Sequence, residues 1–256
     1  MDIISLRSGS HGNAALIFSK KTKILSDCGI SGKAAELALK EAGASPEELS
    51  GIVVSHEHND HISGIGVMMR RYHIPVWANE STWEAIRFQV GKIDESLIRV
   101  FDSDFEIGDI AISPFAIPHD AVAPVGYTFS SNGEKVSIAT DIGELKKGLF
   151  ESLKGSKSVI LEANHDVNML EMGSYTPSLK RRIRGKFGHL SNDDAGKAAE
   201  FLVKLGTKRI ILGHLSEENN YPDIAYKTVE NTLNNAEIKI GSDVVLKVAS
   251  AYDICI

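Results

Sequence analysis

Hydrophobic and polar positions along the chain alternate between two periods, one strand-like and one helical. Short apolar runs at Ile3 to Leu6, Ala14 to Phe18 and Lys23 to Ser26 are bounded by turn residues and predict three strands. Gly32 to Ala42, rich in Ala, Leu, Glu and Lys, predicts a helix stopped by Gly43. Ile52 to Ser55 predicts a strand, Gly64 to Tyr72 a helix and Val76 to Ala78 a short strand. Ser81 to Val90 predicts another helix, capped by Ser81 or Asn79. The middle is a meander of strands at Phe105 to Ile107, Ile110 to Ala116, Val125 to Ser130 and Lys135 to Ala139, with a hairpin turn at Asn132-Gly133. Buried strands follow at Ser158 to Leu161 and Arg209 to Leu212, and helices at Leu145 to Leu153, Ser191 to Leu205 and Ile224 to Asn234. Val244 to Ala249 and Tyr252 to Ile254 are expected to close the sheet. Strands, then mixed strand and helix, recur twice. That order suits two sheets packed face to face with helices outside, an α/β sandwich.

One polar stretch interrupts this pattern. His56-Glu57-His58-Asn59-Asp60-His61 places three histidines and an aspartate in six residues. It directly follows the apolar strand Gly51-Ile52-Val53-Val54, so it occupies the loop at that strand's end. Such loops are where α/β proteins place ligands and catalysis. Imidazole and carboxylate are donors for borderline divalent metals such as zinc, iron or manganese. The cluster holds more donors than one ion takes comfortably. Its plain alternative is a solvated polar loop.

Composition narrows the remaining classes. With 43% apolar residues the chain can bury a substantial core without staples. Its cysteines, Cys28 and Cys255, make no C-x-x-C pair and suit a reducing cytoplasm. The N-terminus lacks a basic region followed by a long apolar stretch, and no run has the length of a membrane span. A cytoplasmic protein with no membrane contact is therefore expected. No repeat, low-complexity tract or linker divides the chain, so residues 1–256 are expected to form one domain. A net charge of −6 argues against a broadly basic nucleic-acid surface. Locally, Lys180-Arg181-Arg182-Ile183-Arg184-Gly185-Lys186 carries five positive charges in seven residues. It reads either as a solvated helix face or as a phosphate clamp formed by Arg181, Arg182 and Arg184.

Three more donors end apolar runs. His119 follows Ile117-Pro118, Asp141 follows Ser137 to Thr140, and His214 follows Ile210 to Gly213. Each has a bland alternative: a turn residue, a helix cap, a capped core histidine. A donor placed directly after a strand is nevertheless held by a rigid scaffold. With the first cluster they make seven ligands, enough for two ions sharing a bridging carboxylate.

H-x-H-x-D-H followed by His, Asp and His, each after a strand, resembles the ligand order of the metallo-β-lactamase superfamily. The resemblance spans essentially the whole length and implies an αββα sandwich with the site along one edge of the sheets. It implies that His56, His58 and His119 hold one metal, that Asp60, His61 and His214 hold the other, and that Asp141 bridges them. The presence of Asp60 favours the hydrolases that keep a full dinuclear site. Ser8-Gly9-Ser10-His11-Gly12-Asn13, Glu162-Ala163-Asn164-His165-Asp166 and Gly188-His189-Leu190-Ser191-Asn192 are similar to the YycJ (WalJ) group. That group is associated with metal-dependent 5′-exonuclease activity on DNA. His11 departs from the small or polar residue more usual in the first of these loops. No β-CASP insertion of the RNase J kind is present.

The resemblance implies hydrolysis of a phosphodiester in DNA ends or single strands, with two divalent ions (zinc, manganese or iron) activating the water. Asp60 would orient the nucleophile. His165 and His189 read as phosphate contacts or proton donors to the leaving oxygen, against alternatives as loop or capping histidines. Helix-start N–H groups beside His189 offer a phosphate site. Rival readings are a small cyclic or sugar phosphodiesterase, a glyoxalase-type thioester hydrolase, and a catalytically silent scaffold. A flavin-linked oxygen reductase would need a further domain. No Gly-rich dinucleotide loop is found.

Overall fold

The computed structural model describes Met1–Ile256. A first sheet is formed by β1 (Asp2–Arg7), β2 (Ala14–Phe18), β3 (Lys23–Ser26), β4 (Gly51–Val53), β5 (Val76–Asn79) and β6 (Ile98–Phe101), in that spatial order. A second contains β7 (Phe105–Ile107), β8 (Ile110–Ala116), β9 (Val125–Ser131), β10 (Glu134–Ala139), β11 (Ser158–Glu162), β12 (Arg209–Gly213) and β13 (Val245–Val248), again in sequential order. Each sheet joins an antiparallel half to a parallel half. β1 to β3 are antiparallel and β3 to β6 parallel. β7 to β10 are antiparallel and β10 to β13 parallel. The strand ends that carry chemistry therefore point to one edge.

Period-two alternation sorts the apolar side chains into three layers. Ile17, Ile24 and Val53 meet Phe129, Ile138, Ile160 and Ile211 between the sheets. On the far face of the first sheet, Leu16, Leu25 and Ile52 pack against α1 (Gly32–Glu41), α3 (Ile65–Tyr72) and α4 (Glu80–Ile86) through Leu39, Met68 and Trp83. On the far face of the second, Val159, Leu161, Ile210 and Leu212 meet α5 (Lys147–Leu153), α8 (Asn192–Lys204) and α9 (Pro222–Asn235) through Leu149, Leu202 and Val229. This is the expected αββα sandwich. Truncating Ile160, 3% exposed at its centre, to alanine costs about 2–5 kcal/mol.

Local signals explain most boundaries. Ser31 caps α1 by accepting from the Ala34 N–H, and Gly43 ends it at φ +73°. Asn79, not Ser81, caps α4, accepting from the Thr82 N–H. Asn132 and Gly133 both adopt positive φ, as a tight hairpin turn requires.

Several expectations needed correction. The predicted helix to Val90 ends at Ile86, and α5 starts at Lys147 rather than Leu145. No strand spans Tyr252 to Ile254: the Ser250 hydroxyl accepts from the N–H groups of Tyr252 and Asp253 and folds that segment into a turn, leaving only Cys255 to pair with Ser5. Three short elements carry no clear period and were not expected: β6, α2 (Asn59–Ile62) and α6 (Val167–Met172); α7 (Pro177–Ile183) makes the front of the basic segment helical, as one of its two readings had it. No helix is long and apolar enough to cross a membrane.

Candidate metal centre

The site is assembled from strand ends. Asp27 leaves β3, the His56–His61 run leaves β4, His119 follows β8, Asp141 follows β10, Glu162 ends β11 and His214 follows β12. Asp27, Asp141 and His214 have φ of 57°, 61° and 56°. They are three of the six non-glycine residues with positive φ, so backbone strain concentrates here. Each left-handed residue turns the chain away from the sheet edge. Glycine supplies a needed close approach: a Cβ on Gly29 would lie 1.6 Å from the Asp60 carbonyl oxygen. That contact packs the 27–30 segment against the loop carrying Asp60, while the Asn13 N–H donates to the same carbonyl at 2.8 Å.

All seven predicted ligands converge. Donor atoms of His56, His58 and His119 lie within 4.8 Å of one another, as do those of Asp60, His61 and His214. His58 Nδ1 is 3.1 Å from His56 Nε2 and 3.4 Å from His119 Nε2. Asp60 Oδ2 is 3.3 Å from His214 Nε2 and 3.5 Å from His61 Nε2. Between the groups stands Asp141, with Oδ2 3.4 Å from His61 Nε2 and Oδ1 3.7 Å from His119 Nε2.

The opposite ring nitrogens are held from behind. His61 Nδ1 donates to Asp27 Oδ2 at 3.0 Å, and Asp27 Oδ1 also accepts from the Ser55 N–H. His214 Nδ1 and His189 Nδ1 donate to Glu162 Oε1 at 2.9 and 2.8 Å. Glu162 Oε2 accepts from the N–H groups of Ile142 and Leu190, which saturates this fully buried carboxylate. Neutral groups alone serve the other half: Ser55 Oγ lies 2.9 Å from His56 Nδ1, and 3.2 Å from His61 Nδ1 beside the Asp27 contact, and the Gly188 carbonyl accepts from His119 Nδ1 at 3.2 Å. Such contacts fix tautomer and ring orientation, leaving each far nitrogen free as a donor to metal. A further grouping of Asp141, Glu162, His189 and His214 is close-packed. Its Glu162 contacts already consume the ring protons, so it supports a centre and does not constitute one.

Electrostatics separate the two halves. Burial lowers His56 and His119, and neighbouring imidazoles lower them further despite Asp141. Burial would lower His61 and His214 as well, yet Asp141 with Asp27 and Asp60, or with Asp60 and Glu162, raises both well above the ordinary histidine range. Burial would raise the carboxyl groups of Asp60 and Asp141, but the surrounding imidazoles hold them well below the usual carboxylate range. The same balance brings Glu162 to about 2.

The donor set fits metal ions. Asp141 Oδ2 is buried and has no hydrogen-bond partner. Imidazole nitrogens face one another at 3.1 to 3.4 Å, an arrangement of lone pairs that a central cation resolves.

Other candidates divide. His189 lines the cleft in front of the cluster, along with Asp60, His119, Asp141, Asn164, Tyr175, Arg182 and His214; the cleft encloses about 220 Å³. His165 is buried outside that lining, its Nδ1 lacks a partner, and burial pushes its pKa down to about 4. It therefore stands apart from the cleft-lining residues to which His189 belongs. The basic segment is also less free than its sequence suggests. Arg182 reaches the cleft but pairs with Asp120, and Arg184 pairs with Glu171. Lys180 is tied to the carbonyls of Glu171 and Gly173, leaving Arg181 and Lys186 exposed without an acidic partner. His11 sits on the surface against Glu217, away from the cluster. Asp27, Glu162, Ser55 and Asn13 were given no role from sequence. An acid at a strand end, the signal that exposed Asp141, also marks Asp27 and Glu162.

Residues 22–215 match the family model of the beta-lactamase superfamily domain. The chain belongs to the metallo-β-lactamase superfamily. Within it, the chain is 40% identical to the exodeoxyribonuclease YycJ of Bacillus anthracis over 238 residues, covering 92% of this chain and 90% of that one. It is also 40% identical over 242 residues to the exodeoxyribonuclease WalJ of Streptococcus pneumoniae, covering 93% and 90%. The metallo-β-lactamase fold protein YhfI from Bacillus subtilis superposes with a TM-score of 0.74 at 16% identity, covering 99% of this chain and 98% of that one. Superfamily membership and the donor clusters make the chain a metal-binding hydrolase.

Proposed function

We propose that this chain is a dinuclear-metal-dependent 5′-exonuclease acting on DNA ends or single strands. The observation that carries the reading is 40% identity, over nine-tenths of both chains, to proteins named exodeoxyribonucleases. The convergence of seven donors beside an open cleft supports it. His56, His58 and His119 would hold one ion and Asp60, His61 and His214 the other, with Asp141 between them. Two divalent ions bound there supply an activated water and neutralise charge on the phosphate.

The chain's own residues complete the chemistry. Asp60, braced by the Asn13 side chain at 3.2 Å, orients groups at the cleft floor. His189 spends Nδ1 on Glu162, which leaves Nε2 for the cleft. That position gives His189 the role of passing a proton from Nε2 to the departing oxygen. Arg182 faces a bound phosphate from the lip formed by α7, and its pairing with Asp120 fixes its direction. Arg181 is free to meet a neighbouring phosphate.

Digestion of 5′- and 3′-labelled DNA by metal-reconstituted protein tests the reading. Progressive release of mononucleotides from the 5′ end, abolished by chelation, is expected. Intact DNA alongside hydrolysis of a small ester such as bis-p-nitrophenyl phosphate would replace it with the small-phosphodiester reading.

A further inference from the structure

We propose that the groove between the 215–222 loop and the 248–252 segment is a nucleobase-stacking subsite built on Tyr221 and Tyr252. The inference rests on the nuclease reading above and assigns the bases of that substrate a place. The groove encloses about 390 Å³ and is lined by Leu215, Pro222, Val248 and Ala251 beside the two tyrosines. That volume lies in the range of roughly 300–1,000 Å³ common for small-molecule sites. It adjoins the metal cleft: Ser216, two residues beyond His214, lines both cavities.

Its chemistry suits bases and not phosphates. No lysine or arginine lines it, and its one charged group, Glu217, repels a phosphate. Tyr221 and Tyr252 are 60% and 74% exposed, a costly placement for two aromatic rings on one groove with nothing to cover. The polar side chains of the walls, the two tyrosine hydroxyls apart, are already engaged. Ser8 Oγ accepts from the His214 N–H, Ser216 Oγ from the Asn219 N–H, and Ser250 Oγ from the Tyr252 N–H. Asn220 donates to the Ala163 and Asn164 carbonyls and accepts from Asn192. Few side-chain donors or acceptors are left to read base edges. Aromatic faces with little hydrogen-bonding capacity bind bases without regard to sequence. The phosphate of the strand thus lies at the cluster, and the adjoining bases lie over Ser216 against the tyrosines.

Neither ring is structural. Tyr221 precedes α9 without a side-chain cap bond, and Tyr252 lies in the terminal turn, so both tolerate truncation. The test measures digestion of single-stranded oligodeoxythymidine by the metal-loaded protein and its Tyr221→Ala, Tyr252→Ala, Tyr221→Trp and Tyr221→Leu variants. Each alanine should raise KM about 5- to 150-fold, the effect of one lost base stack, while hydrolysis of bis-p-nitrophenyl phosphate stays unchanged. Tryptophan should preserve the parent KM and leucine should not. Abasic residues next to the cleaved end should weaken the parent by a similar factor and leave the double-alanine variant unaffected. Chelated parent should quench a 2-aminopurine oligonucleotide, and the double variant should not. If the parent digests DNA but the alanine variants keep its KM, or leucine serves as well as tryptophan, the subsite is overturned while the nuclease reading stands. If the parent digests no DNA, the nuclease reading fails and the subsite fails with it.

Discussion

The two halves of the metal centre are built from similar donors but supported differently. His56 and His119 are backed by a hydroxyl and a peptide carbonyl, whereas His61 and His214 are backed by buried carboxylates. A carboxylate behind an imidazole makes its far nitrogen a stronger donor and fixes its orientation with charge. The first half relies on three imidazoles and close packing, and the second on charge. Asp141, reaching both, keeps the halves in register. The centre is therefore expected to be asymmetric in affinity although nearly symmetric in its place between the sheets.

Substitutions can break this comparison at several strengths. Asp141→Ala should have the largest effect, since it touches both halves; metal content should fall at both positions and hydrolysis should cease. His189→Gln should leave metal content intact and slow turnover by about 10²–10⁴-fold, the range for a lost general acid. Unchanged turnover would return His189 to a purely structural role. Asp27→Asn should weaken only the ion held by Asp60, His61 and His214, by about 10–100-fold in a chelator competition. Equal loss at both positions would erase the asymmetry. Ser55→Ala removes a neutral hydrogen bond worth about 1 kcal/mol, so its effect on affinity should stay within about tenfold. The smallest effect is a local one. Cys28 adjoins Asp27 and is fully buried, and burial pushes its thiol up to about 12. It should resist alkylation at pH 8 in the loaded protein and label faster in Asp27→Asn, reporting looseness on that side alone.

The seven donors were legible because they follow apolar runs: β4 and β12 are buried on both faces, whereas β8, before His119, is buried on one face at most. Periodicity at Ile52-Val53-Val54 or Ile210-Ile211-Leu212 points to a rigid strand, and the polar residue after it must emerge at an edge. Backing carboxylates escaped because their role depends on partners distant in sequence: Glu162 meets His214 across 52 positions, and Asp27 meets His61 across 34. The pairing of the basic segment was hidden for a related reason. Its charge is plain in the sequence, but Asp120 and Glu171, which neutralise two of its arginines, are brought there only by the fold. Helices as short as α2 and α6 complete too few turns to show a hydrophobic period.

Metal content after dialysis against a limiting chelator decides whether the centre is dinuclear and asymmetric, with the parent, Asp27→Asn and Asp141→Ala measured together by elemental analysis. Two ions per chain are expected in the parent, one in Asp27→Asn and close to none in Asp141→Ala. The same content in all three proteins, or a single ion in the parent, would contradict that expectation.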